Sequence, residues 1–184
     1  MANRYSFILV CLALAAFSPA IAKEKIVRPT LFNQPMQRDG FHFQVAFGFG
    51  TGPTSRGVFH NMEIGGTFAN GWTLAYNHVL IQTAGLGGQR DGDLDLIGGH
   101  LLQVKIPLYY QDIVAKFGIG PGGSHDQSDG LTAIFGPAWA YGIDVHMAVF
   151  DTSGITLGVT ILHTIPKGQG HHMGFGLSMG YTWY

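Results

Sequence analysis

Three things are scarce in this chain of 184 residues: charge, cysteine and long apolar runs. Charged residues make up only 11%, against roughly 25% in ordinary soluble domains. A soluble surface needs charge to stay wetted, so the deficit argues that much of this surface does not face water. After the first 22 residues no uninterrupted apolar stretch approaches the roughly 18 residues that a spanning helix requires. Membrane-crossing helices are therefore excluded for that part of the chain. Cys11 is the only cysteine, so the remainder has neither a disulfide framework nor thiol chemistry. The net charge of −1 gives no electrostatic case for a nucleic-acid partner.

What is present begins with a secretory pattern. Arg4 precedes an apolar segment from about Tyr5 to Phe17, Pro19 follows, and Ala20-Ile21-Ala22 supplies a small-x-small cleavage site. Residues 1–22 are thus expected to be a signal peptide and residues 23–40, with Pro29 and Pro35, an irregular periplasmic lead-in. Residues 41–184 form the folded unit.

That unit is rich in glycine (28 in the whole chain) and in period-two alternation. In Met173–Tyr184, Met173, Phe175, Leu177, Met179, Tyr181 and Trp183 alternate with Gly174, Gly176, Ser178, Gly180 and Thr182. Such a strand has one broad apolar face and one face with almost no side chains. Phe41–Gly50 repeats the pattern, with Phe41, Phe43, Val45, Phe47 and Phe49 opposite His42, Gln44, Ala46, Gly48 and Gly50. Between them the alternation predicts Val58–Phe68, Trp72–Gln82, Leu94–Ile106, Ile113–Gly120, Thr132–Val149 and Ile155–Thr164. Asn70-Gly71 signals a two-residue hairpin turn, and Pro137 calls for a bulge or a lost ladder bond. Thr51–Gly57, Thr83–Asp93, Pro121–Gly130 and Pro166–His172 read as the longer polar loops, and they alternate with short connections.

Eight strands with matched first and last members, and long loops on one side only, predict an all-β fold. Specifically, they predict an eight-stranded antiparallel up-and-down transmembrane β-barrel. A soluble barrel with the aromatic faces turned inward would leave glycine and alanine on its wet surface, where Lys, Glu, Thr and Arg are the usual choice. On the barrel reading Phe43, Phe47, Trp72, Trp139, Tyr141, Tyr181 and Trp183 face lipid. His42, Gln44, Glu63, Asn77, Gln103, Lys105, Lys116 and Asp144 face the lumen, together with Asn61 and His146. The lumen of so small a barrel holds side chains rather than a continuous water column, so Glu63 and Asp144 are expected to pair with Lys105 and Lys116.

The amphipathic strands, loop asymmetry and aromatic last strand of Phe41–Tyr184 resemble the small outer-membrane barrels of the OmpA/OmpW-like and opacity type. The resemblance implies outer-membrane lipid as surroundings, the barrel assembly machinery as a partner during insertion, and an outer-membrane location. Those families end on an aromatic in phase with the lipid-facing residues. Here Trp183 is in phase and Tyr184 lies one beyond, so Tyr184 either overhangs or is returned to phase by a bulge. Leu157–Tyr184 also has a distant similarity to the end of lipid A deacylase barrels, where a histidine precedes a serine by two residues. His163 holds that histidine's place, but the second residue after it is Ile165, so the nucleophile is missing.

The loop residues His125, Asp126, Asp129, His171 and His172 are read as solvated polarity. Asp91-Gly92-Asp93-Leu94-Asp95 lacks the distal glutamate of a calcium loop. No catalytic residue, metal or cofactor is assigned. The expectation is a non-enzymatic barrel with a structural, surface-interaction or narrow small-solute passage role and an unidentified surface partner. A lipid A-modifying hydrolase and a soluble periplasmic ligand-binding barrel are the alternatives.

Overall fold

Every strand of this protein has one face that needs an apolar environment, and a single sheet can hide only the other face by curling on itself. A computed structural model describes residues 40–52, 56–82, 96–108, 112–125 and 134–184. In chain order the strands are β1 (Gly40–Thr51), β2 (Arg56–Thr67), β3 (Thr73–Gln82), β4 (Leu96–Pro107), β5 (Ile113–His125), β6 (Ile134–Phe150), β7 (Ser153–Thr164) and β8 (His172–Trp183). Each pairs antiparallel with its sequence neighbours, and β1 pairs with β8 to close the barrel. Phe43 lies opposite Trp183 and Phe49 opposite Leu177 at that seam, so the two most regular strands of the sequence are bonded to each other. Closure removes both sheet edges, which are the costly feature of any open sheet.

Alternation sets which side chains turn inward. Along β1, His42, Gln44 and Ala46 are buried while Phe41, Phe47 and Phe49 stand exposed. Along β8, Gly174, Gly176 and Ser178 are buried while Met173, Leu177, Met179 and Trp183 are exposed. The apolar face is therefore the outer face of the barrel. The expected signal segment and lead-in, Tyr109, Tyr110, Asp126, Asp129 and the Asp91–Asp95 run lie outside the described residues.

Four details differ from the expectations. Strand β5 continues through Pro121-Gly122-Gly123-Ser124 to His125, where a loop was expected. Pro121 lies opposite Pro137 and Gly122 opposite Gly136, so two residues without an amide donor face each other. On its other side β5 loses its partners between the pairs Gly99–Gly122 and Leu102–Ile119, which accommodates the proline without ending the strand. The register shift of the β6–β7 ladder falls at Ala148 and Phe150, where none was expected, while Pro137, facing Pro121, takes the lost ladder bond rather than the bulge. The Asn70-Gly71 connection is longer than two residues. Gly71 takes φ 88°, its amide donates to Phe68 O at 2.7 Å and the Phe68 amide donates to Trp72 O at 2.8 Å. This is the three-residue hairpin loop in which a glycine supplies the left-handed position. Lastly, Tyr184 neither overhangs nor returns to the outer phase. Its ring lies 5.1 Å from that of His42 and 5.8 Å from that of His146, both of which are inward residues.

Candidate functional site: a two-storey lumen

Gly40 at the start of β1, Tyr184 after β8 and the β2–β3, β4–β5 and β6–β7 turns lie at one end of the barrel, and the other four connections leave from the opposite, loop end; the first of these, between Thr51 and Arg56, is shorter than the long loop expected there. At the terminal end the lumen is polar. Lys105, brought in by β4, extends its ammonium among groups from three other strands. Its Nζ is 2.5 Å from Glu63 Oε2 on β2, 2.9 Å from Asp144 Oδ2 on β6 and 2.9 Å from Gln44 Oε1 on β1. Lys116 on β5 pairs with Asp144 Oδ1 at 2.6 Å. Around this centre Asn61 Nδ2 donates to Glu63 Oε1 at 2.7 Å and His42 Nε2 donates to Glu63 Oε2 at 3.2 Å. The Thr182 hydroxyl donates to Gln44 Oε1 at 3.0 Å. Thr156 bonds both Thr182 and His146, and Asn77 Nδ2 donates to Gln103 Oε1 at 2.6 Å.

All of these side chains are buried. Two lysines face two carboxylates, so the formal charge of the cluster sums to zero, which is the condition under which buried ions are tolerated. The structure thus brings His42, Gln44, Glu63, Lys105, Lys116 and Asp144 into one connected network. Asn77 and Gln103 form a separate pair beside it.

Toward the loop end the lumen is apolar. Phe59, Val79, Ile81, Ile97, Leu101, Ala138, Ala140 and Leu162 form one cluster, none more than 2% exposed. The sequence alternation places Leu101, Ala138 and Ala140 inward but does not single out Phe59, Val79, Ile81, Ile97 or Leu162. Space for them comes from glycine on the facing strands. A methyl group on Gly176 would overlap the Phe59 ring, and one on Gly174 would overlap Ile81. One on Gly50 would stand 2.8 Å from Ile81 Cγ2. The bare inner face of β8 is therefore the socket for two large side chains from β2 and β3. Side chains from all around the wall fill the lumen, and its lower exit is flanked by Tyr184, His42 and His146.

The outer wall is equally differentiated. Phe43, Trp183 and Tyr181 cluster near the terminal end, with ring centroids 5.5 and 4.6 Å apart. Phe47, Trp72 and Tyr141 are exposed on the same outer surface. Trp139 is also outward and stacks on His163 and His171 at 5.0 and 5.7 Å. His163 Nδ1 and His171 Nε2 are hydrogen-bonded at 2.8 Å, tying the β7–β8 loop to the wall. The Ile165 amide reinforces this by donating to Pro137 O at 2.9 Å. An apolar hollow of about 840 Å³ crosses the outer side of β5–β8, between Tyr141, Ile143, Leu157, Val159 and Leu177. Among the described residues no group of three or more His, Cys, Asp or Glu side chains could hold a metal ion.

A closed eight-stranded up-and-down barrel, apolar outside and plugged inside, is the architecture of the small membrane barrels. Comparison with solved structures places the fold there. Neisserial surface protein A (NspA) superposes with a TM-score of 0.56 at 11% identity, covering 78% of this chain and 96% of that one. The outer membrane protein OprG from Pseudomonas aeruginosa gives 0.48 at 11% identity, over 80% of this chain and 98% of that one. Ail, the attachment invasion locus protein of Yersinia pestis, gives 0.47 at 11% identity, over 79% and 99%. At 11% identity the likeness to NspA is one of fold. No protein-family model matches the chain, and no curated protein matches it either.

Proposed function

We propose that this protein is an integral outer-membrane β-barrel, exported by a cleaved N-terminal signal, whose role is structural or one of surface interaction through its longer loops. The observation that carries the reading is the inversion of the barrel. Phe47, Phe49, Leu102, Ile119, Phe135 and Met179 are each about three-fifths exposed or more, while Lys105, Glu63 and Asp144 are buried. Water would reverse both placements; hydrocarbon favours both. Insertion by the barrel assembly machinery and an environment of outer-membrane lipid follow from the same reading.

Membrane fractionation combined with heat-modifiable gel mobility tests it. The expected result is an envelope protein whose unheated form migrates differently from its boiled form. A soluble, non-shifting protein would sink the proposal. Passage of a small solute is the second reading, favoured by the polar lower storey, and it requires the apolar upper storey to open. Planar-bilayer recordings should then show discrete steps, and a silent bilayer leaves the structural or adhesive role. We read the barrel as non-enzymatic: His163 is hydrogen-bonded to His171 and covered by Trp139, and the serine of the deacylase pattern is replaced by Ile165. Identical lipid A mass spectra from cells with and without the protein are expected.

A further inference from the structure

The outer face of β2–β4 carries something that a lipid-facing wall has no use for. His60, His78 and His100 project from three consecutive strands and lie side by side. His78 and His100 are directly paired across β3 and β4, with nearly parallel rings 4.7 Å apart. The His60 ring meets that of His78 edge-on at 5.3 Å. The Tyr76 hydroxyl bonds His100 Nδ1, which leaves that imidazole its Nε2. Among the described residues, the imidazoles of His60 and His78 have no hydrogen-bond partner.

The row lies among apolar outward residues, two outward positions from Arg56 and Gln82 at the loop ends of β2 and β3. Val58, Met62 and Ile64 flank it on β2, Leu74 and Leu80 on β3, and Leu102, Val104 and Ile106 on β4. Acyl chains offer no donors or acceptors, and polar side chains in hydrocarbon are costly unless they meet a partner. The contrast with the other outward histidines is direct. His163 and His171 satisfy each other beneath Trp139 near the loops, whereas His60 and His78 remain open toward the surroundings.

We propose that the outer face of β2–β4, centred on His60, His78 and His100, is where a second copy of this chain docks within the membrane. The inference rests on the membrane reading above. A neutral imidazole carries one donor and one acceptor, so a row of them is complementary to the same row rotated by a two-fold axis. Between Val58 and Ile106 the described outward positions of β2–β4 carry no Asp, Glu, Lys or Arg, and Arg56 lies beyond Val58 at the loop end of β2, so the row itself offers no charge to a partner. Side-chain hydrogen bonds between spanning segments supply specificity where apolar contact alone cannot distinguish protein from lipid.

The test uses the full-length chain in native membranes. Variants that each add one cysteine, Met62→Cys and Leu102→Cys, flank the row, and Leu157→Cys on the opposite wall is the control; the unsubstituted chain reports any contribution of Cys11. A short bis-maleimide should link the first two into a species of twice the monomer mass and leave the control monomeric. Adding His60→Leu, His78→Leu or His100→Leu should lower dimer association roughly threefold per histidine while heat-modifiable mobility is kept. Inserted, heat-shifting protein that links equally from all three sites, links from none, or links to a species of another mass overturns the docking proposal and spares the membrane reading. A soluble protein overturns both.

Discussion

The two halves of the lumen solve one packing problem by opposite means. At the terminal end, long polar side chains span the barrel and satisfy one another, with Lys105 connecting three strands beyond its own. At the loop end, bulky apolar groups enter from β2, β3, β4 and β7, and glycines opposite give way. The polar half depends on completeness, because a buried ion without its counter-ion is far worse than no ion. The apolar half depends on shape, because a void or an extra methyl is felt directly in a close-packed interior. The same cylinder therefore has one region sensitive to charge deletion and one sensitive to volume.

The difference can be broken at several points. Lys105→Met strands Glu63 and part of Asp144, and should cost about 3–5 kcal/mol; urea unfolding in lipid vesicles, followed by Trp fluorescence, measures it. Phe59→Ala opens a cavity beside Gly176 and should cost a similar ~3–5 kcal/mol, with no change in the dependence on charge at Lys105. If the storeys are independent, the double variant should be additive within about 0.5 kcal/mol. A larger coupling would show that they act as one unit. Gly176→Ala forces a methyl against the Phe59 ring and should destabilise by about 1–3 kcal/mol. Phe59→Leu should recover part of that loss, which a double-mutant cycle reads directly. The smallest effect is expected from Thr182→Val, about 1–2 kcal/mol, for the hydrogen bonds to Gln44 and Thr156.

Most of the fold was legible because outward and inward residues alternate with period two, and a slip of one position would exchange every face. Phe41–Gly50 and Met173–Tyr184 announced both the sidedness and the seam. The charged lumen residues were legible for the same reason: Glu63, Lys105, Lys116 and Asp144 are isolated charges on otherwise apolar or small strands. The upper storey was hidden because alternation fails there. Val79-Leu80-Ile81 and Leu96-Ile97 are apolar on both faces, and such runs are the mark of strands buried on both sides. The glycines of β8 signalled a narrow interior, but nothing in one strand says that Phe59 and Ile81 fill it. Pro121-Gly122-Gly123 carries turn composition, and only its register opposite Gly136-Pro137 keeps it in the sheet. The imidazole row escaped notice because its members belong to separate strands, and strand pairing alone brings them together.

The seam between β1 and β8 has a consequence for how the barrel comes into being. Gln44 accepts from Lys105 and from Thr182, and Tyr184 rests against His42 and His146, so the last strand delivers the final partners of the interior network. Before the first and last strands meet, Thr182 and Tyr184 are missing from that network. Closure is thus a checkpoint as well as a shape: the chain's end must arrive before the inside is whole. A chain truncated before Thr182 should not behave as a barrel with one frayed strand; it should stall as an open sheet.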